Sequence, residues 1–399
     1  MTHRFIPGMA RATALTRAGK LTEATAHIQR ALGAARAPDA PNLSGTDPTA
    51  GDAIEGEFAR MDAPPAPASV PTSAPTPAQT RATPGPRKSL GETLRHIAHG
   101  SMPAATVRKP GTIARDPRFT THSHHGPHGS REYMLYLPIA ATTATDPLPV
   151  ILMLHGCTQS PQDFAAGTGM NTLAAAHGVI VIYPAQPAGA NMNKCWNWFR
   201  PEDQRRGAGE PAILAAITRE VLATHHADPA RVYVAGLSAG GAAAVILAQA
   251  YPDTFAAAGV HSGLAAGSAR DVGSAFAAMR NGAAGESVAH AIPTIVFHGT
   301  ADKTVDVKNA GAVAQQAQSK LDGNLDGNRA VTRGTSAAGR GYERAVLTAP
   351  DGRTQGEVWL IDGAGHAWSG GSAAGTYTDP TGPDASAEML RFFAQHRVG

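Results

Sequence analysis

The segment Val232–Gly241, with the sequence VYVAGLSAGG, constrains the fold of this chain more than any other. Its β-branched and aromatic start predicts a strand, and the alanine-rich run that follows predicts a helix. Gly236 and Gly240 lack a Cβ, so the strand and the helix can approach closely around a strained turn. Ser238 is then held at the sheet edge, at the start of the helix. We therefore predict that Ser238 is a nucleophile; the alternative is a serine in an ordinary glycine-rich turn.

Short apolar runs rich in Val and Ile alternate with helical patterns after residue 131. Such runs are typical of strands that are covered on both faces. The sequence therefore predicts an α/β fold, with a mostly parallel sheet and helices on both faces. The predicted strands are 132–138, 149–155, 178–183, 231–235, 256–261, 293–297 and 356–361, and the predicted helices are 164–176, 211–225, 240–250, 307–321 and 384–396.

Two later strands end near residues that can complete a catalytic triad. A serine hydroxyl is a poor nucleophile unless a positioned base takes its proton. Asp302 and His366 each follow a predicted strand, in the chain order serine, acid, histidine. We predict that His366 is the base and that Asp302 orients its ring. The competitors are Asp306 for the acid, and His261 or His298 for the base.

A serine hydrolase also needs hydrogen-bond donors for the developing oxyanion. The sequence LHGCTQ, at Leu154–Gln159, follows an early strand, where such folds offer one backbone N–H. The residue after the nucleophile offers the second. We predict that the N–H groups of Cys157 and Ala239 form this oxyanion hole; the alternative is that His155 and Gly156 merely close a turn.

These motifs together resemble the polyhydroxybutyrate-depolymerase-like esterase family, which includes short-chain polyhydroxyalkanoate depolymerases and feruloyl or acetylxylan esterases. The matching segments are HGCTQ at 155–159, CWNWF at 195–199, GLSAGG at 236–241, VHSG at 260–263, HGTAD at 298–302 and GHAWSGG at 365–371. The resemblance implies an α/β-hydrolase fold over residues 131–399 and ester hydrolysis through an acyl-enzyme on Ser238, Asp302 and His366, with no metal or other cofactor. The expected substrate is a short-chain 3-hydroxyacid ester, as an oligomer or an amorphous polymer. The alternatives are an aryl or acetyl ester of the feruloyl type, and a catalytically silent scaffold on a granule.

Three of the four tryptophans lie in the segments that carry this resemblance. We expect Trp196, Trp198 and Trp368, together with His261, to bind the substrate, with ordinary core packing as the alternative. The two cysteines, Cys157 and Cys195, also belong to these segments. They can pair, or they can stay reduced in a reducing compartment.

The rest of the chain differs in composition. Residues 1–33 are predicted to be a basic, amphipathic N-terminal helix segment, which either docks on a surface or packs on its own body. Residues 34–130 are predicted to be a Pro/Ala-rich linker followed by an irregular region. In that region we interpret the histidines near residue 125 as solvated loop residues and not as a metal site.

Composition limits the partners of the chain. A net charge of +3 and an aromatic content of 5% do not predict nucleic-acid binding. No apolar run approaches the roughly 20 residues of a transmembrane helix. Basic residues interrupt every candidate signal sequence near the start, so we expect a cytoplasmic location. The expected partners are the ester substrate and, as a candidate, the surface of a polyhydroxyalkanoate storage granule.

Overall fold

A computed structural model describes residues 116–318 and 329–399. Twelve strands lie in these ranges: β1 Phe119–Gly126, β2 Gly129–Tyr136, β3 Leu148–Leu154, β4 Ile180–Pro184, β5 Ala227–Leu237, β6 Ala257–His261, β7 Thr294–Gly299, β8 Arg329–Thr335, β9 Gly341–Thr348, β10 Thr354–Ile361, β11 Trp368–Ser369 and β12 Thr378–Asp379. Ten of them form one sheet in the order β1-β2-β4-β3-β5-β6-β7-β10-β9-β8, and β11 pairs with β12.

The centre of the sheet is parallel. Neighbouring strands are parallel throughout the order β4-β3-β5-β6-β7-β10. Antiparallel hairpins close both edges, with β1 and β2 on one side and β9 and β8 on the other. The predicted mostly parallel sheet is therefore confirmed. All the parallel strands end at one edge, where the loops after β3, β5, β7 and β10 meet.

Eight α-helices lie in the described ranges, and Pro201–Gln204 adds a 3₁₀ turn. They are α1 Ala140–Thr143, α2 Pro161–Thr168, α3 Met170–His177, α4 Gly209–Thr224, α5 Ala239–Ala250, α6 Val272–Asn281, α7 Lys308–Gln318 and α8 Ala385–Phe393. The single helix predicted at 164–176 is instead divided into α2 and α3. Gly169 adopts a φ of 64° between them, a conformation that ends one helix and that glycine tolerates.

Alternate residues of each central strand face opposite layers of helices. In β3, Val150 and Leu152 pack with α4 and α5, while Ile151 and Met153 pack with α2, α3 and α8. These four side chains are fully buried. Burial on both faces explains why the strands read as continuous apolar runs and not as alternating ones.

The sheet extends beyond the predicted catalytic domain of residues 131–399. Strand β1 pairs with β2 from Phe119 onward, so the boundary at 131 falls inside a hairpin. The histidines interpreted as loop residues lie on β1 or in the turn that follows it. The polar residues around them give no apolar pattern from which a strand could be predicted. Strands β8 and β9 and helix α6 were also not predicted. The predictions for residues 1–33 and for most of 34–130 lie outside the described residues.

None of the helices in the described ranges is long and apolar enough to cross a membrane. The described residues also contain no group of three or more His, Cys, Asp or Glu side chains that is arranged to hold a metal ion.

Candidate active site

The turn between β5 and α5 has the strained geometry that the sequence predicts. Ser238 has a φ of 58° and a ψ of −119°, in a region that non-glycine residues rarely occupy. Its backbone N–H donates to the carbonyl of His261, at the end of the neighbouring strand β6. The side chain caps no backbone group of α5 and is therefore free for chemistry. A strained serine between a strand and the N-terminus of a helix is the arrangement of a nucleophile elbow.

Glycine is required on both sides of this turn. A Cβ added to Gly240 would overlap the backbone carbonyl oxygens of Leu154 and His155, and a Cβ on Gly236 would overlap the backbone of Gly240. Backbone atoms of a central strand cannot yield as the end of a side chain can. The two glycines thus allow β3, β5 and α5 to meet at the base of Ser238.

Gly240→Ala is expected to lower the free energy of unfolding by more than about 3 kcal/mol, because the new methyl group meets fixed backbone. Gly311→Ala is the matched control, since Gly311 lies in α7 with no atom within 4 Å of the added Cβ. The control should be stabilised by roughly 0.5–1 kcal/mol through helix propensity. Urea unfolding of both variants measures the difference. Equal stabilities would show that the turn adapts to a side chain.

Asp302 and His366 form the acid–base half of the predicted triad. The Nδ1 of His366 lies 2.6 Å from the Oδ2 of Asp302. The other carboxylate oxygen accepts the backbone N–H groups of Thr304 and Val305 at 2.8 and 2.9 Å. Burial raises the pKa of Asp302, but the hydrogen bond from His366 and those two N–H groups outweigh it and hold the pKa below its ordinary value. The residue is therefore ionised at neutral pH and can orient the imidazole.

The three competing residues have other hydrogen-bond partners. Asp306 accepts the N–H of Lys308 at the start of α7, as a cap does. His298 is fully buried; its Nε2 lies 2.9 Å from the carbonyl oxygen of Val305 and, at a longer 3.6 Å, from the Oδ2 of Asp302. His261 is also fully buried, and its Nε2 accepts the N–H of Ser369. Their contacts are those of supporting residues.

The topology of the sheet places Ser238 at the same edge as the Asp302–His366 pair. The three residues follow β5, β7 and β10, whose carboxyl ends lie at the same edge. His261 connects them, because its carbonyl binds Ser238 and its ring binds the segment just after His366. Within the described residues, no hydrogen bond links the Ser238 hydroxyl to the His366 ring. In enzymes without a bound substrate this contact is commonly long.

The two backbone N–H groups that are predicted to bind the oxyanion have no acceptor in the described part of the chain. Within the described ranges, neither the N–H of Cys157 nor that of Ala239 donates to a protein acceptor. Gln159 shapes the first of these loops, since its Oε1 accepts the N–H of Gly156 at 2.9 Å. Thr158 adopts a φ of 67° in the same loop. Two free donors at the edge that carries Ser238 are what a tetrahedral intermediate requires.

A disulfide joins Cys157 to Cys195, so the pairing alternative is the one that the structure adopts. It ties the oxyanion loop to the segment 191–199. A second link reinforces it, as the N–H of Thr158 donates to the carbonyl of Asn193 at 2.7 Å. The bond therefore fixes the backbone that presents the Cys157 N–H.

Removal of the disulfide is expected to reduce both stability and turnover. The double variant Cys157→Ala/Cys195→Ala should lose about 2–4 kcal/mol in free energy of unfolding, because the bond closes a loop of 38 residues. The variant should also lower kcat more than it raises KM, because the oxyanion donor acts mainly in the transition state. Dithiothreitol should produce the same loss in the wild type and none in the double variant. A variant with unchanged kcat would separate the disulfide from the oxyanion hole.

The burial of the four residues expected to bind the substrate favours the core-packing alternative. Trp196 and His261 have no exposed surface, Trp368 is 1% exposed and Trp198 is 6% exposed. The Nε1 of Trp196 donates to the carbonyl of His155, and that of Trp368 donates to Ser386. Rings buried to this extent have no face for a substrate. They support the catalytic loops from behind, which is the core alternative.

A buried polar network that was not predicted holds the segment 191–199. Glu210 accepts hydrogen bonds from Gln186 and from both the backbone and the side chain of Asn197. Gln186 also donates to the carbonyl of Cys195 and binds the ring of His155. Burial lowers the pKa of His155 to about 4, so its ring is neutral and can accept that bond. Only the HG and CWNW motifs pointed to this region; Glu210 lies at a helix start without a sequence signal.

Comparisons with known proteins give a consistent result. The family model described as Esterase PHB depolymerase matches residues 131–341. Poly(3-hydroxyalkanoate) depolymerase C of Paucimonas lemoignei is 34% identical over 246 residues, 58% of this chain and 56% of that protein. Feruloyl esterase B of Thermothelomyces thermophilus is 37% identical over 142 residues, 35% of this chain and 47% of that protein. Poly(3-hydroxybutyrate) depolymerase of Ralstonia pickettii is 26% identical over 304 residues, 69% of this chain and 60% of that protein.

Among solved structures, the acetyl xylan esterase from Aspergillus awamori aligns with a TM-score of 0.54 and 20% identity, covering 69% of this chain and 98% of that one. This similarity concerns the fold, and with the sheet order it establishes the α/β-hydrolase fold. The chain spans about half of the length of the curated relatives that it matches.

Proposed function

The chain belongs to the esterase PHB depolymerase family, and from that premise we propose that it is a serine esterase that cleaves short-chain 3-hydroxyacid esters, as oligomers or amorphous polymer. The observation that carries the proposal is the hydrogen bond between Asp302 and His366, at the sheet edge that also holds the strained Ser238. The names of the two depolymerase relatives support the choice of substrate class.

The reaction begins with acylation. The Oγ of Ser238 attacks the ester carbonyl carbon while the Nε2 of His366 takes its proton. Asp302 stabilises the imidazolium that forms, because its carboxylate stays ionised and bound to Nδ1. The negative charge on the carbonyl oxygen is bound by the N–H groups of Cys157 and Ala239. The tetrahedral intermediate collapses when His366 gives its proton to the leaving alkoxide oxygen.

Deacylation repeats these steps with water. His366 takes a proton from the water as its oxygen attacks the acyl carbon. The same two N–H groups hold the second oxyanion, and His366 then returns the proton to the Ser238 oxygen. The products are a carboxylic acid and an alcohol, and neither step requires a metal or another cofactor.

The proposal is tested by 3-hydroxybutyrate release from amorphous polyhydroxybutyrate granules, with a soluble butyrate ester assayed alongside. We expect wild-type protein to cleave both substrates and Ser238→Ala to cleave neither. Turnover of the soluble ester without polymer release would retain the esterase chemistry and refute the depolymerase substrate.

A second candidate substrate is an aryl ester of the feruloyl type. The similarity to Feruloyl esterase B over a shorter segment favours it. Methyl ferulate discriminates the two, since a kcat/KM above that for 3-hydroxybutyrate oligomers would place the chain with the aryl esterases.

We also propose the granule surface as a partner and the cytoplasm as the location. The basic residues of segment 1–33 are the candidate docking groups. Replacement of Arg11, Arg17 and Lys20 by Gln in the full chain should reduce co-sedimentation with granules and leave soluble-ester turnover intact.

Because stable disulfides are rare in a reducing cytoplasm, thiol titration of Cys157 and Cys195 after cell fractionation tests the location. A fully oxidised pair in an extracellular fraction would overturn it.

A further inference from the structure

A groove of mixed polar and apolar lining lies beside the catalytic loops, at the sheet edge that carries the candidate triad. Its volume is about 520 Å³. Its walls are the ends of β1 and β2, the loop after β3 and the loop after β4. His155 and Gln159 line it from the oxyanion loop, and Lys194 lines it from beside the disulfide. The groove therefore lies between the loop after β3 and the β1–β2 hairpin.

Arg131, at the start of β2, lines this groove in an unusual state. Its side chain is only 5% exposed. Within the described part of the chain the guanidinium makes no hydrogen bond, and its Nε is buried without a partner. The Glu210 carboxylate lies 4.0 Å from it and the ring of Trp196 lies 5.9 Å from it, and the carboxylate of Asp203 also acts on its charge. A guanidinium keeps its charge and carries five N–H donors. Burial without hydrogen bonds therefore leaves these donors to be paired by a ligand.

The other groups around the groove do not supply a hydrogen-bond acceptor for the guanidinium of Arg131. Lys194 adds a second positive charge to the lining, and Glu132 adds one negative charge. His124 is already bound to Glu220, and His125 to Ser130. Behind the guanidinium, Glu210 is occupied by Gln186 and Asn197. An anionic ligand oxygen in the groove would meet Arg131 and Lys194, neither of which has a protein acceptor within hydrogen-bond distance in the described residues.

We propose that this groove binds the terminal carboxylate of a hydroxyacid oligomer, with Arg131 as its principal partner and Lys194 as a second positive charge. A planar carboxylate matches the paired donors of a guanidinium. This inference rests on the proposed function and narrows it to oligomers with a free carboxyl end. The carboxyl end of such an oligomer belongs to the leaving alcohol, so the groove is a leaving-group subsite.

The position of the groove agrees with this assignment. Strand β2, which carries Arg131, lies three positions from β5 in the order β2-β4-β3-β5. At about 4.8 Å per strand spacing, the separation is about 14 Å. A 3-hydroxyacid repeat has four chain bonds and extends about 4.5–5 Å, by analogy with an extended peptide residue of three bonds. About three repeats would therefore link Ser238 to the carboxylate.

The test compares the 3-hydroxybutyrate tetramer as its free acid with the same tetramer as its methyl ester. For the full-length wild type we expect kcat/KM about ten-fold higher for the free acid, because one charge-assisted contact is lost in the ester. In Arg131→Gln the ratio should fall close to one. Arg333→Gln is the matched control, since it removes one charge from an exposed side chain on β8, at the opposite edge of the sheet, and should keep the wild-type ratio.

Equal rates on both tetramers in the wild type would overturn the inference, as would a ratio that Arg131→Gln leaves unchanged. If Arg131→Gln fails to fold by circular dichroism, Lys194→Gln should still lower the ratio. A second measurement needs no variant: the 3-hydroxybutyrate trimer should inhibit soluble-ester turnover about ten-fold more strongly as the carboxylate than as the amide. Equal inhibition would exclude a carboxylate site.

These readouts separate the subsite from the proposed function. Cleavage of the methyl ester shows hydrolysis of 3-hydroxyacid esters whether or not the groove binds a carboxylate. Cleavage of the soluble butyrate ester with no cleavage of either tetramer would refute the proposed substrate. Inhibition by the trimer would still show whether the groove binds a carboxylate.

Discussion

Ser238→Ala is expected to lower kcat for a soluble butyrate ester by about 10⁴- to 10⁶-fold, because no other group can form the acyl-enzyme. The variant should remain folded, since the hydrogen bond of the Ser238 N–H to His261 uses only backbone atoms. KM should change little, because the oxyanion donors and the groove remain. Single-turnover and steady-state assays with matched circular dichroism spectra measure the effect.

Ser372→Ala is the matched control for this experiment. Ser372 is an exposed serine in the loop after His366, and its hydroxyl accepts only a local backbone N–H at 3.2 Å. We expect its kcat to stay within about two-fold of wild type. A Ser238→Ala enzyme that keeps more than a tenth of the wild-type rate would refute the nucleophile.

Asp302→Asn is expected to lower kcat by about 10³- to 10⁴-fold. The carboxylate now accepts from Nδ1 of His366, which leaves Nε2 free to take the serine proton. An amide in its place can donate to Nδ1 and thereby favour the wrong tautomer, and it carries no charge to stabilise the imidazolium. The loss should appear in kcat more than in KM, since the change affects the transition state.

Asp306→Asn serves as the control for this variant. Asp306 lies four residues later and accepts the N–H of Lys308, a role that an asparagine oxygen can also fill. Its activity should remain close to wild type. If Asp306→Asn were the more damaging change, the assignment of the acid would be reversed. Thermal unfolding of both variants distinguishes a catalytic loss from a folding defect.

The candidate catalytic residues were predictable because each carries a local signal. Ser238 lies between glycines that the turn requires, and Asp302 and His366 each follow a buried, β-branched strand. The parallel strands all end at one edge, so residues that follow different strands become neighbours. The central sheet was predictable for the same reason, since burial on both faces produces continuous apolar runs.

The missed features depend on contacts that have no local signal. Strand β8 is almost fully exposed, and β1 is rich in Thr and His, so neither has an apolar period. The tryptophans beside the catalytic motifs are buried because they support loops, which their position in the sequence does not distinguish from a substrate wall. Arg131 gains its significance from neighbours such as Glu210 and Lys194, which are distant along the chain.

The strand order of the sheet also affects the order in which the candidate triad can assemble during folding. Ser238, Asp302 and His366 come from β5, β7 and β10, and β10 takes its place beside β7 only after β8 and β9 have been traversed along the chain. Contacts between distant segments form slowly, because the entropy of loop closure opposes them. The β5–α5 turn can therefore form before His366 is in place. We expect recovery of activity after dilution from denaturant to follow the docking of β10, and not the first collapse of the chain.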